Sequence, residues 1–167
     1  LGARPFTGDL PENTRSLYAW ESGYIQHIYP EALNALAKEH EVELYLTENI
    51  GSFIFLNAPV LEVVQKGDDL DWAALCEAIP EALVLGDIRT YDQDPRFGLI
   101  VMGEVGSKAL SPGINDAGTA IDVITRIGRI LSSYRDETEN TPDNVLEYLY
   151  VRPLDPVDLL RDGFGAL

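Results

Sequence analysis

Two short polar stretches hold the residues of this chain best suited to chemistry. The first, Arg89-Thr-Tyr-Asp92-Gln93-Asp94-Pro95-Arg96-Phe97, sets two carboxylates and an amide beside two guanidinium groups. Such a set could move a proton or hold a polar ligand. The second, Ala109-Leu-Ser111-Pro112-Gly113-Ile114-Asn115-Asp116-Ala-Gly-Thr119-Ala120, places hydroxyl, amide and carboxylate groups before a long apolar-periodic segment. A helix starting there offers free N–H groups, which Ser111, Asn115 and Thr119 could join around an anion or polar ligand. Each stretch also has a structural account. Asp94 fits an N-cap with Pro95 as the first helical residue, where its missing N–H costs nothing. That account leaves Arg89, Asp92 and Gln93 unexplained. Pro112-Gly113 fits a type II turn with glycine supplying the positive φ, and Asn115 or Asp116 then caps the following helix. Asp116 weighs against an anion, because it already brings negative charge to that helix end.

Elsewhere no catalytic, metal or cofactor signature is found, so none is assigned. His27 and His40 stand apart, neither beside a second ligand at helical or hairpin spacing. Asn49-Ile-Gly-Ser and Gly103-Glu-Val-Gly106 fit neither the Walker nor the dinucleotide glycine pattern. A nucleophile elbow is missing too. The single cysteine, Cys76, sits in an apolar helical pattern with Trp72, Ala73, Leu75 and Ile79 and reads as a buried, inert thiol. One cysteine forms no internal disulfide, so nothing requires an oxidising compartment.

The net charge of −16 opposes phosphate backbones and anionic headgroups, so neither nucleic acid nor a lipid surface is an expected partner. Arg126, Arg129 and Arg135 are too sparse to form a basic stripe. No apolar run approaches the roughly 20 residues of a spanning helix, and no secretory signal is present. The chain opens at Leu1, as a processed product or an excised piece does.

The elements that must position these residues follow from periodicity. Residues 1–16, with Pro5, Gly8 and Pro11, read as an arm or linker leading into one domain over 17–167. Strands are expected at Gly23–Ile28, Glu41–Leu46, Ser52–Leu56 and Val60–Val64, with a short helix from Pro30 to Lys38. A helix capped by Asp69 or Asp71 runs to Ile79, and Leu83–Ile88 fits either strand or helix. Helices are expected at Arg96–Leu110 and Asn115–Tyr134. The second has an apolar face of Ala120, Val123, Ile124, Ile127, Ile130, Leu131 and Tyr134. Residues 136–144 read as an acidic turn ending at Pro142. Tyr148–Val151 returns as a strand, and Asp158–Arg161 forms a terminal helix. The order is strand-rich over 17–68 and helix-rich over 69–167. This is an α+β pattern: a small antiparallel sheet or partial barrel first, helices second.

The run Ala-Leu-Ser-Pro-Gly-Ile-Asn-Asp followed by Thr-Ala resembles a bacterial family of membrane proteins known as domain of unknown function 2254. Ser22-Gly-Tyr-Ile-Gln26, Arg89-Thr, Gln93-Asp94 and Phe97-Gly98 match it in the same order, so the resemblance spans roughly residues 15–135. Ala117 and Gly118 depart from it, where proline and a bulkier residue are usual. The resemblance implies that transmembrane helices precede a soluble domain like this one, with an even number of spans placing it on the cytoplasmic side of the inner membrane. It supplies no activity. The role expected of such a domain, read apart from the resemblance, is assembly or regulation of the membrane part. The expected partners are that transmembrane segment and further copies of the chain, Gly103 and Gly106 letting a neighbouring helix approach. The alternative is an enzyme or small-ligand sensor using segments 89–98 and 111–119.

Overall fold

Apolar side chains alternate with Glu43 and Tyr45 between Val42 and Leu46, and a pleated strand turns such a series to one face. This logic repeats along a computed structural model that describes residues 2–134 and 146–167. The expected acidic turn at 136–144, and Arg135, lie outside the described residues. The elements are β1 (Ala3–Pro5), β2 (Arg15–Tyr18), β3 (Gly23–Ile28), α1 (Pro30–Glu39), β4 (Val42–Leu46), β5 (Phe53–Ile54), β6 (Pro59–Gln65), α2 (Trp72–Ala82), β7 (Leu83–Gly86), α3 (Pro95–Leu110), α4 (Ala117–Ser132), β8 (Leu146–Val151) and α5 (Pro156–Phe164). The fold is α+β. The described residues divide into two compact units, 2–93 with 146–153 and 94–134 with 154–167.

The first unit holds two sheets. The smaller, β5-β3-β7, is antiparallel. Its edge strand β5 is shorter than the expected Ser52–Leu56. The amide of Leu56 turns to Ser22 Oγ (2.8 Å), and Ala58 N–H bonds Phe55 O (2.9 Å), closing a turn instead. The larger sheet, β1-β8-β4-β6-β2, is mixed, because β8 enters parallel to both β1 and β4. Among the described residues, only the smaller sheet is therefore purely antiparallel.

One face of the larger sheet buries Leu17, Val42, Leu44, Leu46, Leu61, Val63 and Leu149 in a core shared with Leu33, Ala37, Leu75 and Ile79 of α1 and α2. The strand register aligns Arg4, Tyr150, Tyr45, Glu62 and Ser16 across the other face. Tyr45 and Glu62 are nevertheless buried, at 8% and 7% exposure. Strands β1 and β2 occupy opposite edges, so residues 6–14 must cross about 19 Å of sheet at a strand spacing of about 4.8 Å. Phe6 meets Tyr45 edge-on at 5.4 Å, and Tyr45 stacks on Tyr150 at 4.3 Å. The stretch read as a leading arm thus contributes an edge strand and lays Phe6 against the sheet. Burial, with the nearby Glu43 charge, pushes the Tyr45 phenol well above its usual range.

The second unit is helical. Asp94 caps α3 through Phe97 N–H (2.9 Å) with Pro95 in the first turn, and Asp155 caps α5 through Val157 N–H (2.8 Å). Leu99, Val123, Ile127 and Leu159 form its core, with Met102, Leu131, Tyr134, Leu154 and Phe164 packed around them. Arg96 grips Asp162 through Nε (2.5 Å) and Nη2 (3.2 Å), tying α3 to α5. Gly103 and Gly106, read as the approach for another copy, are already occupied within the chain. A Cβ on Gly103 falls 2.7 Å from Gly163 O, and one on Gly106 falls 2.6 Å from Leu167 Cδ2. The expected apolar face of α4 is covered only in part. Ala120, Val123 and Ile127 are buried, but Ile124 and Ile130 remain 42% and 46% exposed.

Candidate functional site

The first polar stretch follows β7, and its side chains run back along β3. Gln26 Nε2 donates to Ile88 O (2.7 Å), and Thr90 Oγ1 donates to Gln26 O (3.4 Å). Gln93 then clamps the end of β3. Its Oε1 accepts from Ile28 N–H (3.0 Å) and its Nε2 donates to Ile28 O (3.2 Å), as a neighbouring strand residue would. The same Nε2 lies 3.0 Å from His27 Nε2, which must accept, since an amide nitrogen only donates. Gln93, one of the three side chains left unexplained by the capping account, is therefore a backbone clamp. Asp94 is buried at 2% exposure as a helix cap, Arg89 is half-buried, and Asp92 is exposed. The Ser22-Gly-Tyr-Ile-Gln26 stretch belongs to the same construction. A Cβ on Gly23 would fall 2.9 Å from backbone atoms of Gly86, so only glycine lets β3 and β7 close here.

The second polar stretch joins α3 to α4. Ser111 Oγ donates to Lys108 O (2.6 Å), while the amides of Ile114 (3.0 Å) and Asn115 (2.8 Å) both bond Ser111 O. The expected type II turn is replaced by a tight helical turn. Positive φ falls on Asn115 (48°) and not on Gly113. Pro112, after the extended Ser111, starts a right-handed turn, and asparagine tolerates the left-handed exit. Asp116 N–H bonds Ala109 O (2.8 Å), closing the hairpin. Asp116 Oδ1 accepts from Thr119 N–H (3.0 Å) and Oδ2 from the Thr119 hydroxyl (2.6 Å). The cap thus uses an N–H group that an anion would need.

The Thr119 hydroxyl and then its N–H hold the Asp116 carboxyl below the usual aspartate range. Its stabilisation is complete above the ordinary aspartate pKa of about 3.9 and is lost as pH falls through the lower folded value. Asp116→Ala should lower the melting temperature near neutral pH, and Asp116→Asn should lower it less. Both differences from wild type should shrink as the solution is made strongly acid. Equal losses from both variants at neutral pH would instead mean that the carboxylate charge, not capping, carries the effect.

Asp94 and the second stretch share one unit but sit at opposite ends of α3. That helix is unbroken over 16 residues, or about 24 Å at 1.5 Å per residue. Direct contact between Asp94 and Asn115 is therefore out of reach.

Sequence reasoning passed over an open hollow of about 450 Å³ in the first unit, lined by Arg15, Gln65, Asp68, Asp69, Leu70 and Asp71. The acidic run after Gly67 was its only sequence signal. Arg15 lies 3.7 Å over the Trp72 ring. The half-buried Cys76 also feels the Arg15 charge, which its sequence neighbours did not suggest. Burial outweighs that charge and pushes the thiol up, which keeps it protonated. Among the described residues, no three His, Cys, Asp or Glu side chains gather as a metal site.

The chain belongs to the family described as "Predicted membrane protein (DUF2254)", which matches residues 3–167. Uncharacterized proteins of Mycobacterium bovis and Mycobacterium tuberculosis are each 28% identical over 134 residues, covering 73% of this chain. The chain spans about a quarter (24%) of the length of these relatives. No solved structure matches it. No helix among the described residues is long and apolar enough to cross a membrane.

Proposed function

We propose that this chain is an extramembrane domain of a bacterial integral membrane protein, on the cytoplasmic face of the inner membrane, acting in assembly or regulation of the membrane-embedded part. The observation that supports this reading is where the polar groups of both motifs go. Gln93, Asp94, Ser111, Asp116 and Thr119 all bond the backbone or one another at 2.6–3.2 Å. A substrate recruited there has to replace those bonds, and each group left unpaired in the exchange costs about 1–3 kcal/mol where it is buried. Membership of a family described as a membrane protein supports the attachment.

Topology reporters test it. Green fluorescent protein fused after Leu167 of the full-length protein should fluoresce in the membrane fraction, and alkaline phosphatase at the same point should stay inactive. The opposite pattern removes the cytoplasmic assignment. Recovery of the full-length protein in the soluble fraction removes the membrane attachment itself.

A further inference from the structure

Between Ile25 and His27 the register of β3 against β7 shifts by one residue. This bulge leaves Ile25 and Ile28 both buried, with the half-buried Gln26 and His27 between them. Both polar residues serve the irregular segment that follows β7. Gln26 meets it at Ile88 through its side chain and at Thr90 through its carbonyl, and His27 meets it at Gln93. Gln93 is the last residue of the first unit before the chain passes to Asp94, the cap of α3.

The Gln93 amide has one workable orientation. With Oε1 on Ile28 N–H (3.0 Å) and Nε2 on Ile28 O (3.2 Å), both backbone groups are satisfied. Turning the amide over would set oxygen against oxygen and N–H against N–H. Its second N–H therefore always faces the imidazole, and the 3.0 Å contact is a hydrogen bond only while His27 Nε2 is bare. A proton on that nitrogen opposes two donors. The Tyr29 ring, 4.4 Å from the imidazole centre, hinders the ring from swinging aside.

We propose that His27 and Gln93 form a proton-sensitive latch where the chain leaves the first unit. Neutral His27 holds Gln93 on the end of β3, and imidazolium releases it. The latch is closed in mild alkali and opens as pH falls through the range in which histidine ordinarily gains its charge. The neighbouring groups do not mask that event. β5 and β7, which flank β3, carry no charged side chain. The charges on adjoining segments are Asp87, Arg89 and Asp92 before Gln93, Glu31 in the first turn of α1, and Glu81 late in α2; the nearby phenols are Tyr24, Tyr29 and Tyr91. Carboxylates, phenols and guanidinium ordinarily keep their charge state between about pH 5.5 and 7.5. Among the described residues, His27 forms no ion pair that would hold it charged. This inference gives the regulatory role proposed above a signal, the proton, and rests on that reading only for its setting.

Hydrogen exchange of the Ile28 amide in the 167-residue chain reads the latch directly, because that N–H donates to Gln93. Protection, corrected for the intrinsic exchange rate, should fall about fivefold from pH 7.5 to 5.5, as loss of one hydrogen bond implies. His27→Gln keeps an acceptor that takes no proton, so its Ile28 amide should stay protected at both pH values. His27→Phe should be poorly protected at both. His40→Gln, at the other histidine, should show the wild-type fall. The proposal is overturned if wild-type protection is the same at both pH values, if the fall persists in His27→Gln, or if His40→Gln abolishes it. It is equally overturned if amides throughout the first unit lose protection together with Ile28, because acid then loosens the whole fold. None of these outcomes moves the topology reporters, so the latch and the attachment are judged separately.

Discussion

Gly103→Val is expected to destabilise the helical unit by about 3 kcal/mol, the upper end of what overpacking usually costs. The first added carbon would stand 2.7 Å from Gly163 O, a backbone atom that no rotamer change can move aside. Relief requires α5 to retreat from α3, which also stretches the Arg96–Asp162 ion pair and opens the packing of Leu159 on Leu99. Gly98 supplies the control. It lies in the same helix with nothing within 4 Å of its notional Cβ, so Gly98→Ala should stabilise by up to about 1 kcal/mol. Denaturant melts of Gly98→Ala, Gly103→Ala and Gly103→Val should therefore straddle the wild type. A neutral or stabilising Gly103→Ala would show that α5 does not sit against α3 at this point.

Gln93→Leu should cost about 2–3 kcal/mol although it preserves side-chain bulk. It strips Ile28 N–H, Ile28 O and His27 Nε2 of their partner at once, and each unsatisfied buried group costs about 1–3 kcal/mol, less where water can enter. Gln93→Glu should fall between the two, because its carboxylate still accepts from Ile28 N–H but donates to neither Ile28 O nor His27. The local readout is hydrogen exchange of the Ile28 amide. It should quicken strongly in Gln93→Leu and little in Gln93→Glu. If both variants leave stability and Ile28 exchange unchanged, the clamp contributes nothing and Gln93 is free to serve another purpose.

Much of this protein was legible as a string. The helices read at Pro30–Lys38, Arg96–Leu110 and Asn115–Tyr134 lie within a few residues of the observed ones, with Asp94 as one cap and Asp116, of the two residues offered, as the other, because spacing and end signals act within a few residues. The same holds for β3 and β4, and with them for the α+β class. Acidity and the lone cysteine are sequence facts outright. Tertiary structure alone decided the partners. β8 lies parallel beside β4 with Tyr150 stacked on Tyr45, more than a hundred residues away. Gln93 spends its amide on Ile28, and Gly103 and Gly106 face α5 and the chain end. Positive φ went to Asn115 because the proline turn before it closed the right-handed way. The apolar face of α4 shows the limit most plainly. Periodicity reports that Ala120, Ile124, Ile127 and Ile130 lie on one broad stripe, but how far it is covered depends on the width of α3 and α5 against it. Local pattern records what a side chain prefers to escape from. Which surface receives it is settled by the summed packing of residues far apart in sequence, and no short window contains that sum.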